Sequence, residues 1–128
     1  MKKKILSKDA PQPIGPYSQA IKHENMLFVS GQIGLDKATN SISDLGIEEE
    51  TKLVMENIKS IIKQAEYSMD DIVKCTIFLS DMNIFSDVNK IYSQYFSQPY
   101  PARETVEVTK LPKNANVEIS AIAIKNNL

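Results

Sequence analysis

"NVEISAIAI", residues 116–124, decides the fold. Side chains alternate across a strand, so Val117, Ile119, Ala121 and Ala123 point one way and Ile122 and Ile124 the other. Both faces of this strand are therefore apolar. Helices from the same chain can cover one face of its sheet. A two-layer monomer would leave the other face wet, and a second copy of the chain is the economical cover. Glu118 interrupts the run. A carboxylate there is costly unless it is paired or lies at a wet cleft. It reads either as a sheet-edge group facing solvent or as a desolvated acid whose raised pKa would let it trade protons with water.

Upstream lies "YPARETVEV", residues 100–108, a second strand from about residue 103 to 108, with Val106 and Val108 on its buried side. "KLPKNA" connects the two strands. If adjacent and antiparallel, they bring Arg103 and Glu118 near one another, across a sheet or across subunits. Pro101 biases Tyr100 to extended geometry. Arg103 then offers an always-charged fork for a carboxylate, or pairs at the surface with a glutamate.

Further out the pattern alternates between the two regular periods. "DDIVKCTIFLSD", residues 70–81, is a strand with Val73, Cys75, Ile77 and Leu79 on one side and Lys74 and Thr76 on the other. Residues 83–96 form a helix whose apolar face is Phe85, Val88, Tyr92, Tyr95 and Phe96. A longer helix spans about residues 47–66, with Ile47, Val54, Ile58, Ile61, Ile62 and Ala65 at spacings of three and four. Glu48, Glu49 and Glu50 occupy its first turn, where the helix dipole favours negative charge.

The amino-terminal third reads as strands and loops. "DAPQPIGPYS", residues 9–18, is a Pro- and Gly-rich loop that presents Tyr17 stiffly. Tyr17 can place its hydroxyl at a site or pack over the core rim. "QAIKHENMLFVSG" is a hairpin turning at Glu24-Asn25, with His23 a hairpin residue. Gly31 and Gly34 mark a bulge and a place where a ligand can approach the backbone. "DKATNSIS" is a further turn. The sum is an α+β layout, a mixed sheet with two helices on one face, in one domain spanning residues 1–128.

Composition limits the chemistry. The chain has 128 residues, 42% of them hydrophobic, and a net charge of −1, so it carries no strong field for nucleic acid. One cysteine, Cys75, and one histidine, His23, leave neither an intrachain disulfide nor a Cys/His metal cluster. Cys75 reads as core. Three lysines at positions 2–4 are followed by only two apolar residues, and no run approaches membrane-spanning length, so the expectation is a cytoplasmic protein without a membrane partner.

Six segments in order, "IGPYSQA", "SGQIG", "DIVKCTIFLSDM", "FSDVNKIYSQYF", "YPARETVEV" and "LPKNANVEISAIAI", resemble the motifs of the RidA/YjgF family, deaminases of reactive enamines and imines also labelled endoribonucleases. The resemblance runs from residue 10 to 125. It implies a chorismate-mutase-like α+β fold and a homotrimer whose sheets form a central barrel with clefts between subunits. It implies hydrolysis of small carboxylate-bearing 2-imino or 2-enamino acids to 2-keto acids and ammonia, with no cofactor and no metal. By position, Arg103 matches the arginine that grips the substrate carboxylate, and Glu118 the glutamate associated with the hydrolytic water. Tyr17 matches the tyrosine of the "GPY" loop, Gly31 a glycine lining the cleft, and Asn89 a supporting asparagine. Thr105 stands where many relatives carry cysteine, so no thiol acts at that substrate-binding position. Glu104, where serine is common, adds negative charge beside Arg103 or faces solvent. Two other functions fit less of the pattern: a regulator that binds keto or amino acids, and an endoribonuclease, which the charge balance disfavours.

Overall fold

The computed structural model describes residues 1–126. Its strands are β1 (Lys3–Ile5), β2 (Ala20–His23), β3 (Met26–Ile33), β4 (Leu35–Asp36), β5 (Ser41–Ile42), β6 (Ile72–Leu79), β7 (Ala102–Glu107) and β8 (Val117–Ile124). The helices are α1 (Ile47–Gln64) and α2 (Phe85–Ser93), the latter preceded by a 3₁₀ turn at Met82–Ile84. The main sheet has the order β1-β2-β3-β8-β6-β7, and β4 and β5 pair separately. All its pairings are antiparallel except β6 with β7, which is parallel. The mixed sheet and the two helices of the α+β reading are both present.

The β-branched strands β6 and β8 occupy the centre of the sheet; their helix-facing side is wholly apolar, while the other mixes Phe78 and Ile122 with Lys74, Thr76 and Ser120. Ile77, Leu79, Val117, Ile119, Ala121 and Ala123 are buried beneath the helices, together with Leu27 and Val29 of β3. α1 contributes Val54, Met55, Ile58, Ile61 and Ile62, and α2 contributes Val88 and Tyr92. Each fully buried aliphatic side chain is worth about 1.5–3 kcal/mol relative to exposure. Glu48 and Glu49 remain at the surface of the first turn of α1, but Glu50 is only 1% exposed. Its carboxylate accepts from the Asn116 backbone N–H at 2.7 Å and from Asn116 Nδ2 at 2.8 Å. It thereby fixes the start of β8 to the start of α1.

Three sequence expectations are corrected. β7 does not lie beside β8. The chain crosses over through α2 and pairs β7 in parallel with β6, so β6 separates Arg103 from Glu118. Val73 is exposed rather than core, because a register shift between Ile72 and Lys74 inserts an extra residue on β6, and Ile72 takes the buried place. Val106 is 40% exposed, because its register partner Phe78 belongs to the face away from the helices.

That second face is open in the single chain. Met26, Phe28, Phe78, Val106, Ile122 and Ile124 lie on it, and none of them is fully buried. It is the face the "NVEISAIAI" alternation leaves to be covered. No helix among the described residues is long and apolar enough to cross a membrane.

Candidate functional site

Glu118 lies near the start of β8, between Ile33 of β3 and Phe78 of β6. Its strand neighbours Val117 and Ile119 face the core, so its own side chain emerges on the open face. The carboxylate is half-buried, and this desolvation raises its pKa above the ordinary carboxylate range. Directly beside it β3 bulges. Val29 pairs with Ala121 and Gln32 with Ile119, so β3 carries one residue more than β8 over this span. Gly31 lies in that bulge. A Cβ on Gly31 would lie 2.7 Å from Glu118 Oε2 and 2.8 Å from its Cδ. The glycine is what lets the carboxylate lie against the backbone.

The Pro- and Gly-rich loop is tied to the same place. Ser30 donates its backbone N–H to Gln19 O at 2.9 Å and its hydroxyl to Ser18 O at 2.6 Å. These bonds bring Tyr17, 54% exposed, to the mouth of a cleft of about 500 Å³. Gly31, Glu118 and Lys113 line the same cleft. Lys113 sits at φ 55° in the 3₁₀ turn Pro112–Asn114, and sequence reasoning passed over it as part of a connector.

Arg103 occupies a second cleft, of about 550 Å³, lined also by Asn89, Tyr92, Tyr100 and Pro101. Its register partner is Cys75, which faces the core, so Arg103 points to the helix side of the sheet. α2 receives it there. Arg103 Nη1 donates to Asn89 Oδ1 at 2.7 Å, and the guanidinium carbon lies 5.0 Å from the Tyr92 ring centre and 5.7 Å from that of Phe85. Phe85, Asn89 and Tyr92 recur at four and three residues, a single stripe of α2. Phe85 and Tyr92 read from sequence only as core; their approach to Arg103 depends on the parallel crossover, which periodicity does not reveal.

Glu104 and Thr105 separate by alternation. Glu104 points to the face opposite Arg103 and is engaged there, accepting from the Thr76 hydroxyl and pairing with Lys74 at 2.9 Å. These two partners hold its carboxyl below the usual range. Its charge is therefore directed away from the arginine. Thr105 shares the Arg103 face, half-buried, and its buried Oγ1 has no hydrogen-bond partner among the described residues. Cys75 is buried beneath Arg103. Burial raises the thiol pKa, with Tyr92 and Arg103 opposing it, which keeps the thiol neutral.

The single chain thus gathers Tyr17, Gly31 and Glu118 in one cleft and Arg103 and Asn89 in another. The two key side chains emerge on opposite faces of one sheet. A third hollow, of about 550 Å³ between the β4–β5 hairpin and α1, gathers none of them. Among the described residues no cluster of three or more His, Cys, Asp or Glu could hold a metal ion.

Residues 7–125 match the family model described as Endoribonuclease L-PSP. A RutC family protein of Pyrococcus horikoshii is 50% identical over 125 residues, covering 98% of this chain and 99% of its own. The 2-iminobutanoate/2-iminopropanoate deaminase of Bos taurus is 42% identical over 128 residues, covering 100% of this chain and 93% of its own. The crystal structure of E. coli TdcF with bound serine superposes with a TM-score of 0.92 at 38% identity, covering 97% of this chain and 99% of that one.

Proposed function

The chain belongs to the Endoribonuclease L-PSP family, the RidA/YjgF proteins, and from that premise we propose that it hydrolyses small 2-imino acids to 2-keto acids and ammonia. One observation carries the reading. The residues fall into two complementary halves, an anion-binding half at Arg103 and an acid–base half at Glu118, that no single chain joins. The apolar open face supplies the reason for assembly. In a homotrimer of chorismate-mutase-like subunits, packed sheet to sheet, Arg103 of one copy meets the Glu118 cleft of the next.

Arg103 takes the substrate carboxylate with the N–H donors that Asn89 leaves free. The Tyr17 hydroxyl and the backbone at Gly31 orient the rest. Glu118, ionised, accepts a proton from a water as its oxygen bonds to the imine carbon. Glu118 gives that proton to the amine of the resulting carbinolamine, then takes the hydroxyl proton as the C–N bond breaks and the C=O forms, and the proton leaves with the ammonia as ammonium. One water is consumed and Glu118 ends as it began. The raised pKa of Glu118 makes it a stronger base than a free carboxylate, which favours its taking that proton. Orientation and one proton carrier are enough, because water already adds readily to a protonated imine. Thr105 offers no thiol, so the reaction proceeds without a covalent cysteine step.

A second reading has its own support: TdcF holds serine, which bears a carboxylate, so the clefts of this chain serve a regulator that binds amino or keto acids. Turnover separates the two. 2-Iminobutanoate generated in situ by a threonine dehydratase is expected to release ammonia faster in the presence of this protein, and Arg103→Ala is expected to abolish the gain. No acceleration by the wild type contradicts the deaminase and leaves the regulator.

A further inference from the structure

We propose that Tyr92 is a positioning residue for Arg103: its ring is the floor that holds the guanidinium in the orientation in which it receives a carboxylate. The inference rests on the assignment of Arg103 as the anion anchor. Arg103 reaches across from β7, an edge strand with no neighbouring strand on its outer side among the described residues. Its own backbone therefore constrains it on one side only. What restrains the guanidinium is α2, through one hydrogen bond to Asn89 and two aromatic faces.

A single hydrogen bond at Nη1 fixes a point but not a plane. The guanidinium can still pivot about it. The Tyr92 ring at 5.0 Å and the Phe85 ring at 5.7 Å remove that freedom, since a planar cation over an aromatic face is held by the ring quadrupole. Tyr92 is itself closely packed. It is 4% exposed, and its ring packs against Phe96 with centroids 4.8 Å apart.

The hydroxyl of Tyr92 separates a positioning role from a packing role. It is buried, and what faces it is the Cys75 thiol, a weak hydrogen-bonding group, with no stronger partner in reach among the described residues. A buried hydroxyl so weakly satisfied contributes little to stability. Tyr92→Phe therefore removes the hydroxyl while keeping the ring. An aromatic residue at this position supplies the face beneath Arg103 as well as the packing on Phe96, and only the first bears on the guanidinium.

The test compares wild type, Tyr92→Phe, Tyr92→Leu and Arg103→Ala in the full-length assembled protein. Calorimetry measures affinity for 2-ketobutyrate and for its neutral carboxamide, and the coupled imine assay measures KM and kcat. Tyr92→Leu is expected to weaken 2-ketobutyrate binding and raise KM by about 3- to 30-fold, the range of a desolvated cation–ring contact. Its carboxamide affinity and kcat should move far less, and Tyr92→Phe should rescue the wild-type values. A folded Tyr92→Leu with wild-type affinity overturns the proposal, as does Tyr92→Phe that is as impaired as Tyr92→Leu. Should Tyr92→Leu fail to fold, Phe85→Leu tests the more distant ring, with a smaller loss in the same direction; an unchanged affinity there overturns the proposal. A wild type that binds 2-ketobutyrate without turning over imine contradicts the deaminase alone, and the affinities still decide the role of Tyr92. Binding that survives Arg103→Ala removes the anchor and the proposal with it.

Discussion

The two half-sites are built by different means. The Glu118 half rests on a central strand, and its geometry is set by backbone: a bulge in β3, a glycine beneath the carboxylate, a loop tied to Ser30. The Arg103 half rests on an edge strand, and its geometry is set by side chains of α2. A backbone-built half fails abruptly when an atom is added. A side-chain-built half fails gradually as each contact is removed. The first half should therefore be more exacting about glycine and the second about aromatic residues.

The harshest way to break the comparison is to delete the anchor. Arg103→Ala should lower kcat/KM by about 10³-fold or more, because a charged, oriented contact to the substrate is lost with no substitute. Melting temperature should barely move, and steady-state imine kinetics with a parallel thermal melt check both.

Glu118→Gln removes the proton carrier without changing size. A loss of about 10²-fold in kcat is expected. Stability should move the other way. Desolvation raises the folded pKa of Glu118 above its unfolded value, so ionising it penalises the folded state. That penalty is absent below the unfolded pKa, grows as pH rises toward the folded pKa, and is complete above it. Glu118→Gln should therefore melt higher than wild type at neutral pH, with the gap closing on acidification. A gap that widens in acid contradicts the desolvated carboxylate.

Two glycine substitutions sharpen the contrast. In Gly31→Ala the added Cβ meets the movable end of Glu118, so the carboxylate shifts and the fold persists. Activity should fall about tenfold or more with little change in denaturant midpoint. In Gly34→Ala the added Cβ meets Glu50 O at 2.8 Å, which is helix backbone, as well as Glu50 Cγ. Denaturation should show a loss of about 1–3 kcal/mol, with the activity of the remaining folded protein less affected. The smallest effect is expected of Thr105→Val. Its buried hydroxyl has no partner among the described residues, so stability should change by less than about 1 kcal/mol. A large loss of imine turnover in that variant would assign the hydroxyl to the substrate.

Much of the fold was legible because burial imposes period. The α1 stripe and both faces of β8 follow directly from spacing. Pairing partners do not: Arg103 and Glu118 sit on consecutive strands, and only the parallel crossover through α2 puts β6 between them. Local irregularity is equally silent, as Val73 shows, since one inserted residue exchanges it with Ile72. Nor does sequence distinguish Glu50 from Glu48 and Glu49. Its burial depends on Asn116, 66 residues away. Motif resemblance nominated Arg103, Glu118, Tyr17, Gly31 and Asn89 as candidates, which line two clefts, whereas Phe85, Tyr92 and Lys113 carry no local signal that separates a cleft from a core or a loop.

The central claim is that each working site takes Arg103 from one copy and Glu118 from another. Subunit exchange tests it most directly. Arg103→Ala and Glu118→Gln, each inactive alone, are unfolded, mixed in equal amounts and refolded together. Shared sites should return about a quarter of wild-type activity, since each cleft then needs an intact arginine from one chain and an intact glutamate from its neighbour. A mixture no more active than either variant, in a verified mixed oligomer, contradicts the claim.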